Sequence, residues 1–137
     1  MTRDEMAQVL ETWLEAWDRH DLDEVTALFA EDAVFETWTG LRIVGRENIH
    51  KAWKDWFESG GFRFVSENMV IDEKAGMAVF PWVYEGPSKC FGGKQERRRG
   101  IDLIRFKGGL IAEKITYTKT SFEVEGSRIS LVAEGRR

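Results

Sequence analysis

The sequence is poor in the residues that cross-link small proteins or bind metals. Its 137 residues include one cysteine, two histidines and two prolines. The single Cys90 cannot form an internal disulfide, and two separated histidines without further cysteines give no zinc-ligand spacing. No glycine-rich phosphate-binding loop is present either. We therefore expect a fold held together by its hydrophobic core, without a structural metal and without a cofactor.

Long apolar runs and an excess of positive charge are also missing. Uncharged stretches are far shorter than the roughly 20 apolar residues of a membrane-spanning helix, and residues 1–5 do not begin a basic and then apolar leader. With 20 Lys and Arg against 24 Asp and Glu, the net charge is −4, so the overall field repels nucleic-acid backbones. These features predict a cytoplasmic protein that binds neither membranes nor nucleic acids.

Aromatic residues, by contrast, are plentiful. Six tryptophans, nine phenylalanines and two tyrosines occur in a chain whose length predicts one domain over residues 1–137. Such a content indicates either a large aromatic core or an aromatic-lined cavity. Composition alone leaves both interpretations open.

Hydrophobic periodicity predicts helices first and strands after them. A Thr2-x-x-Glu5 capping box opens an amphipathic helix over 2–18, a second short helix spans 21–29, and a third spans 46–58. Alternating patterns predict strands over these ranges: 33–39, 62–71, 77–85, 95–106 and 110–118.

The remaining segments are predicted to be turns and a tail. Residues 40–45 and 107–109 are expected to turn the chain, and residues 121–137 to form a polar tail with a short hairpin around 125–127. Short turns between consecutive strands predict a mostly antiparallel sheet. The predicted fold class is α+β, with three N-terminal helices packed in the concave face of a curved sheet.

Several sequence blocks carry a family resemblance. They include AWDRHDLD at 16–23, ALFAEDAVFE at 27–36 and GIDLIRF at 100–106. With the order of elements, they resemble the nuclear transport factor 2-like superfamily, and within it the SnoaL-like and ketosteroid isomerase-like branch. The resemblance implies a cystatin-like cone with a cavity between helices and sheet, often in a homodimer. It leaves function open, because this scaffold hosts isomerases, cyclases, dehydratases and plain binding modules.

Comparison with the steroid isomerases finds few of their catalytic groups in this chain. Those enzymes use a general-base Asp and an oxyanion hole made by a Tyr and a protonated Asp. The resemblance places Thr37 at the base position, where it cannot accept a proton, and Trp13 at the Tyr position, where its indole N–H can point at a ligand oxygen. Only Asp102 is kept. Steroid-type isomerisation by that route is therefore not expected.

The closest predicted contact in the cavity joins Asp102 and Lys114. With Asp102 taken as pointing inward, a three-residue turn at 107–109 places Lys114 directly opposite it and Thr116 opposite Gly100. A neighbouring ammonium favours the charged carboxylate, so Asp102 would not donate a proton to an oxyanion. Its other roles are weak base, ligand anchor or half of a structural ion pair. If the protein is an enzyme, Asp102 and Lys114 are the predicted catalytic pair.

Further ligand-contact candidates come from strand alternation, from the resemblance and from helical position. Alternation puts Arg98 on the face of Asp102, where it can meet an anionic ligand group. The other candidates are Trp13, Thr37, Trp53, Trp82, Tyr84 and Thr116. For the tryptophans the competing interpretation is core packing, and for Tyr84 it is a buried hydroxyl with an internal partner.

Three functions fit these observations. The first is a cofactor-free isomerase, cyclase or lyase acting on a small, largely apolar molecule with a carbonyl or hydroxyl group. The second is a non-catalytic ligand-binding or homodimerisation module, which the missing base at Thr37 favours. The third is an interaction domain whose cavity is filled by its own aromatic side chains, such as Phe80. A ligand-sized void would exclude the third function.

Overall fold

The computed structural model describes residues 1–131; residues 132–137, which end the expected polar tail, lie outside the described part. The helices are α1 (Arg3–Asp18), α2 (Leu22–Ala27) and α3 (Arg46–Ser59). The strands are β1 (Phe29–Glu36), β2 (Arg42–Val44), β3 (Arg63–Ser66), β4 (Val70–Asp72), β5 (Met77–Pro87), β6 (Gln95–Lys107), β7 (Leu110–Thr118), β8 (Ser121–Val124) and β9 (Ser127–Ser130).

The helices begin where the sequence predicts. The Thr2 hydroxyl accepts a hydrogen bond from the Glu5 N–H at 3.1 Å, and the Glu5 carboxylate accepts one from the Thr2 N–H at 2.9 Å, which completes the capping box of α1. α2 is shorter than predicted because Phe29 already pairs with β7, as the first residue of β1. Tertiary pairing thus overrides the helical pattern of the last two residues.

The strands form one mixed sheet in the order β2-β1-β7-β6-β5-β3. Every pair on this path is antiparallel except β1 with β7, which is parallel. β4 pairs with β5, and the β8–β9 hairpin continues from β6. The predicted mostly antiparallel sheet and the hairpin around 125–127 are therefore present. Three predicted segments differ: the strand predicted over 33–39 is β1, which begins at Phe29 and ends at Glu36, 40–45 contains β2, and 62–71 is split into β3 and β4.

The predicted direct pairing of Asp102 with Lys114 is wrong. Residues 108–109 are glycines with φ values of 59° and 85°, and they form a two-residue turn instead of the expected three-residue turn. A bulge before Phe106 adds a second one-residue offset, so Asp102 lies opposite Thr116. Because the two offsets sum to two residues, the β7 residues beyond the bulge, Lys114 and Thr116 among them, keep their predicted face, whereas Ile111 on the turn side of the bulge lies buried opposite Phe106.

The core lies between the helices and the concave face of the sheet. α1 contributes Trp13 and Trp17, and α3 contributes Trp53, all of them buried. The Trp13 and Trp17 rings meet edge to face with centroids 5.8 Å apart, and Trp53 packs against Phe35 of β1 at 5.0 Å. This confirms the predicted α+β cone with its helices on the concave face.

Candidate functional site

A cavity of about 880 Å³ opens between the helices and the sheet. This volume falls within the roughly 300–1,000 Å³ of small-molecule sites. All six tryptophans of the chain contribute to its wall, together with Phe35, Phe64, Phe80 and Tyr84. The void excludes the interpretation in which aromatic side chains fill the cavity completely.

The structure brings all of the sequence-predicted site residues into the wall of this one cavity. They are Trp13, Thr37, Trp53, Trp82, Tyr84, Arg98, Asp102, Lys114 and Thr116. Sheet strands supply most of the polar groups, and the helices supply the aromatic wall that faces them. This division follows from the alternation of β6 and β7, which turns their polar residues inward on a shared face.

Three residues form a hydrogen-bonded polar cluster in the wall. The Lys114 ammonium lies 3.3 Å from Asp102 Oδ2 and donates to Thr116 Oγ1 at 2.6 Å. The Thr116 hydroxyl in turn donates to Asp102 Oδ1 at 2.9 Å. The predicted contact between Asp102 and Lys114 is therefore confirmed, but it runs diagonally across β6 and β7, with Thr116 in the directly opposite position.

Lys114 is almost completely removed from water, with 7% of the residue exposed. Its ammonium lies 4.6 Å from the centroid of the Phe35 ring and 5.9 Å from that of Trp53. Burial lowers the pKa of Lys114 from its usual 10.5, and the neighbouring Asp102 carboxylate opposes this change. The lysine therefore stands closer to losing its proton than a surface lysine does.

Arg98 lines the cavity with its charge already paired. Its Nε and Nη2 donate to the two carboxylate oxygens of Glu96 at 3.1 and 3.0 Å, and both side chains are buried. The guanidinium also lies 3.8 Å from the centroid of Phe122 and 4.7 Å from that of Trp38. Sequence reasoning missed Glu96, although it shares the inward face of β6 two residues before Arg98.

The indoles and the phenol in the wall differ in their hydrogen bonding. The indole N–H groups of Trp13 and Trp82 are buried and have no hydrogen-bond partner among residues 1–131. The Tyr84 hydroxyl instead donates to the carbonyl of Pro87 at 2.7 Å. Tyr84 thus presents its ring to the cavity, while its hydroxyl proton is engaged in this internal hydrogen bond. This agrees with the second interpretation of Tyr84, a buried hydroxyl with an internal partner.

Gly100 positions the Trp82 ring in the wall. The two residues are paired across β5 and β6, and a Cβ built on Gly100 would lie 2.2 Å from the Trp82 ring and 2.6 Å from the Tyr117 carbonyl. Only glycine leaves room for the ring. The predicted pairing of Gly100 with Thr116 is wrong because the same two-residue offset places Gly100 opposite Thr118.

The cavity mouth is formed by loops. Thr37 lies just after β1, and its Oγ1 accepts a hydrogen bond from the Leu41 N–H at 3.1 Å, so this hydroxyl helps to hold a turn. Lys89 was not among the predicted residues. It lies over the Trp56 ring at 4.3 Å, and burial lowers its pKa. Lys89 is an exposed residue at the mouth, and no sequence pattern marks it as part of the cavity wall.

Within residues 1–131, no group of three or more His, Cys, Asp and Glu side chains is arranged to hold a metal ion. In the same part of the chain, no helix combines the length and the hydropathy needed to cross a bilayer.

Solved structures with this fold come from several bacteria. A protein of unknown function with a cystatin-like fold from Methylobium petroleophilum is 22% identical, with a TM-score of 0.71 over 98% of this chain and 82% of that one. A Xanthomonas campestris protein suggested to be a polyketide cyclase is 17% identical, with a TM-score of 0.68 over 85% and 92% of the two chains. A Mycobacterium tuberculosis protein in complex with estradiol-17β-hemisuccinate is 19% identical, with a TM-score of 0.70 over 82% and 92%.

Comparison with protein families gives a more specific assignment. A search among curated proteins finds no match. The SnoaL-like domain matches residues 10–114, which include the C-terminal half of α1, all of β1 and the part of β7 that ends at Lys114. The match covers most of the chain and agrees with the cone-shaped fold of the structural neighbours. The chain belongs to the SnoaL-like domain family, and it shares its fold with solved nuclear transport factor 2-like proteins.

Proposed function

We propose that this protein binds a small, largely apolar molecule bearing a carbonyl or hydroxyl group. The observation that carries the proposal is an aromatic cavity of about 880 Å³ with the hydrogen-bonded Asp102–Lys114–Thr116 cluster in its wall. Burial of an apolar body against the rings supplies about 25 cal/mol for each Å² removed from water. The cluster would then fix the orientation of the ligand through its oxygen.

The polar cluster retains donor capacity for such an oxygen. A lysine ammonium has three N–H donors, and Lys114 uses two of them on Thr116 and Asp102. The third is left for a ligand. The unpartnered indole N–H groups of Trp13 and Trp82 belong to the same wall. An uncharged acceptor suits the site better than a carboxylate, because the two buried cations, Lys114 and Arg98, are each paired with an acidic residue.

The structural neighbour from Mycobacterium tuberculosis supports this choice of ligand by analogy. Its bound estradiol-17β-hemisuccinate combines an apolar body with oxygen groups. At 19% identity the two chains share the fold, so the analogy extends to binding a molecule of this general kind and not to a particular compound.

The proposal is tested by nuclear magnetic resonance of the indole N–H groups, because all six tryptophans line the cavity. The probe is 2-acetylnaphthalene, an uncharged aromatic ketone, and its partner is 2-ethylnaphthalene, which lacks the oxygen. We expect saturable shifts with both and about 3- to 10-fold tighter binding of the ketone, the effect of one net hydrogen bond. Indole signals that do not move with either compound would overturn the proposal.

A matched pair of variants controls for binding outside the cavity. Ala52 of α3 lines the cavity at its exposed edge, whereas the adjacent Lys51 is exposed and outside the wall. Ala52→Phe narrows the entrance and should weaken binding of 2-acetylnaphthalene, while Lys51→Phe adds the same ring elsewhere and should leave it unchanged. Equal effects of the two substitutions would show that the ketone binds elsewhere.

A second candidate function is acid–base catalysis on the same ligand, as an isomerase, cyclase or lyase. It is favoured by the lowered pKa of Lys114 and by its contact with Asp102. Asp102→Asn separates the two functions once a substrate is known. Loss of turnover with retained affinity supports catalysis through Asp102, whereas a variant that only unfolds leaves Asp102 as half of a structural ion pair.

We also propose a homodimer, which the family resemblance implies. Ile101 and Tyr117 are directly opposite each other on β6 and β7, face away from the cavity, and are 37% and 56% exposed. Two apolar neighbours on the outer face of the sheet suit an interface between copies of the chain. Sedimentation equilibrium should give twice the monomer mass, and Tyr117→Asp should reduce it; a monomer at all concentrations contradicts the dimer.

A further inference from the structure

We propose that Lys114 forms a reversible imine with an aldehyde or ketone held in the cavity, so that the ligand class is a reactive carbonyl compound. This inference rests on the proposed function, because the carbonyl must first enter the aromatic cavity. It goes further by giving Lys114 a covalent role in place of a hydrogen-bonding one.

The position of Lys114 suits a nucleophilic amine. Its residue is 7% exposed, its ammonium faces the Phe35 and Trp53 rings, and it belongs to the cavity wall. Amine nucleophiles react in the neutral form, and an apolar enclosure favours that form by withholding water from the charge. The lowered pKa of Lys114 has the same cause and supports the proposal.

The cluster also offers a place for the proton that Lys114 must lose. Asp102 Oδ2 lies 3.3 Å from Nζ, and a second path runs through the Thr116 hydroxyl over contacts of 2.6 and 2.9 Å. Moving one proton from the ammonium to the carboxylate converts a buried ion pair into a neutral amine and a neutral carboxylic acid. Burial favours this transfer, because the transfer removes two desolvated charges at once.

The covalent step balances without any further reactant. The Lys114 nitrogen attacks the carbonyl carbon, a C–N bond forms, and one N–H proton moves to the oxygen to give a neutral carbinolamine. The Asp102 carboxylic acid then protonates the hydroxyl group, the C–O bond breaks, water leaves, and the nitrogen lone pair forms the C=N bond. The products are an iminium ion, one water and the Asp102 carboxylate, which lies beside the new positive charge.

Lys89 provides an internal comparison within the same cavity. It lines the wall at the mouth, where the residue as a whole is exposed, and partial burial of its amine against the wall lowers its pKa. Among residues 1–131, however, no carboxylate lies within ion-pair distance of Lys89, whereas Lys114 has one at 3.3 Å. If burial alone were sufficient for imine formation, both lysines would react; if the Asp102 relay is needed, Lys114 reacts first.

The test is reductive trapping with 2-naphthaldehyde and sodium cyanoborohydride, followed by intact mass measurement and peptide mapping. We expect one adduct on Lys114, formed at least about tenfold faster than adducts on the exposed Lys51. Lys114→Met should remove this adduct, Lys89→Met should retain it, and Asp102→Asn should slow it about tenfold or more. The wild-type map already tests the proposal if a variant fails to fold.

The outcomes separate this inference from the proposed function. Shifted indole signals with 2-naphthaldehyde but no preferential adduct on Lys114 would overturn the imine and leave ligand binding in place. An adduct on Lys89 alone, or one spread evenly over exposed lysines, would also overturn it. Unmoved indole signals together with no Lys114 adduct would overturn both proposals.

Discussion

Asp102 and Lys114 are ionisable residues buried in the cavity wall. At such a position the loss of hydration usually costs more free energy than the ion pair contributes. The Thr116 hydroxyl and the Phe35 ring recover part of that loss through a hydrogen bond and a cation–π contact. Apolar residues of similar volume would satisfy the fold equally well here. The pair is therefore better explained by binding or chemistry than by stability.

Replacing both Asp102 and Lys114 should show how much the buried ion pair lowers the free energy of unfolding. We expect Asp102→Asn combined with Lys114→Met to leave the free energy of unfolding of the unliganded protein unchanged or to raise it by about 1–4 kcal/mol. Each single substitution should be less stable than the double variant, because it leaves a buried polar partner unpaired. Urea unfolding of the three variants provides the measurement, and a double variant less stable than both singles would contradict this interpretation.

The pH dependence of the same comparison has a definite sign. The pKa of Lys114 is lowered in the folded protein from the usual 10.5, so between these two values the unfolded chain binds more protons than the folded one. The wild-type stability contributed by this residue therefore rises with pH through that window. The advantage of the double variant should be larger near neutral pH than near pH 10, as measured by urea unfolding at both values. An advantage that grows with pH would contradict the lowered pKa.

Gly100 is the residue at which the cavity wall is least tolerant of change. A methyl group there would overlap the Trp82 ring and the Tyr117 carbonyl. We expect Gly100→Ala to lower the free energy of unfolding by about 1–3 kcal/mol, the usual cost of overpacking, and to weaken binding of 2-acetylnaphthalene. Ser66 of β3 is paired with Trp82 from the other side of β5, so Ser66→Ala is the milder comparison. Equal stability of the two variants would contradict close packing at Gly100.

At the scale of elements, the β6–β7 hairpin places the cluster. Its two-residue turn and its bulge together decide that Thr116, and not Lys114, is opposite Asp102. Alternation along β6 correctly predicted which residues face inward, because a two-residue offset preserves the face. The offset itself was not predictable from the sequence, since turn length and a bulge depend on the pairing of the whole sheet.

The conformation of the Gly108–Gly109 turn between β6 and β7 can be tested directly by substitution. Gly109 has a φ of 85°, and among the described residues nothing lies within 4 Å of where its Cβ would be. The penalty of Gly109→Ala is therefore conformational only, and we expect a loss of about 1–2 kcal/mol in the free energy of unfolding. Lys107→Ala, at the exposed end of β6, should change it by less than about 0.5 kcal/mol. Equal losses in urea unfolding would contradict the left-handed turn.

At the scale of the whole molecule, most of the fold was predictable and the charge balance of the site was not. Helical and alternating patterns indicated an α+β fold with helices on one face of a curved sheet, and the resemblance implied the cone and its cavity. The sequence could not choose between a filled and an open cavity, because that depends on how side chains such as Trp53 and Phe80 pack. The sequence also did not reveal that Glu96 pairs with Arg98. The two residues lie two positions apart on the same face of β6, and their ion pair depends on the conformations of both side chains.

Both the proposed ligand binding and the imine at Lys114 require one arrangement, in which an apolar ligand fills the aromatic cavity and its oxygen reaches the polar cluster. The crystal structure of the complex with 2-acetylnaphthalene tests it most directly. We expect the ring system against the tryptophans of α1 and α3, and the ketone oxygen within hydrogen-bond distance of Lys114 Nζ, or its carbon bonded to that nitrogen. A ligand bound outside the cavity, or one whose oxygen points to the mouth and away from Lys114, would contradict it.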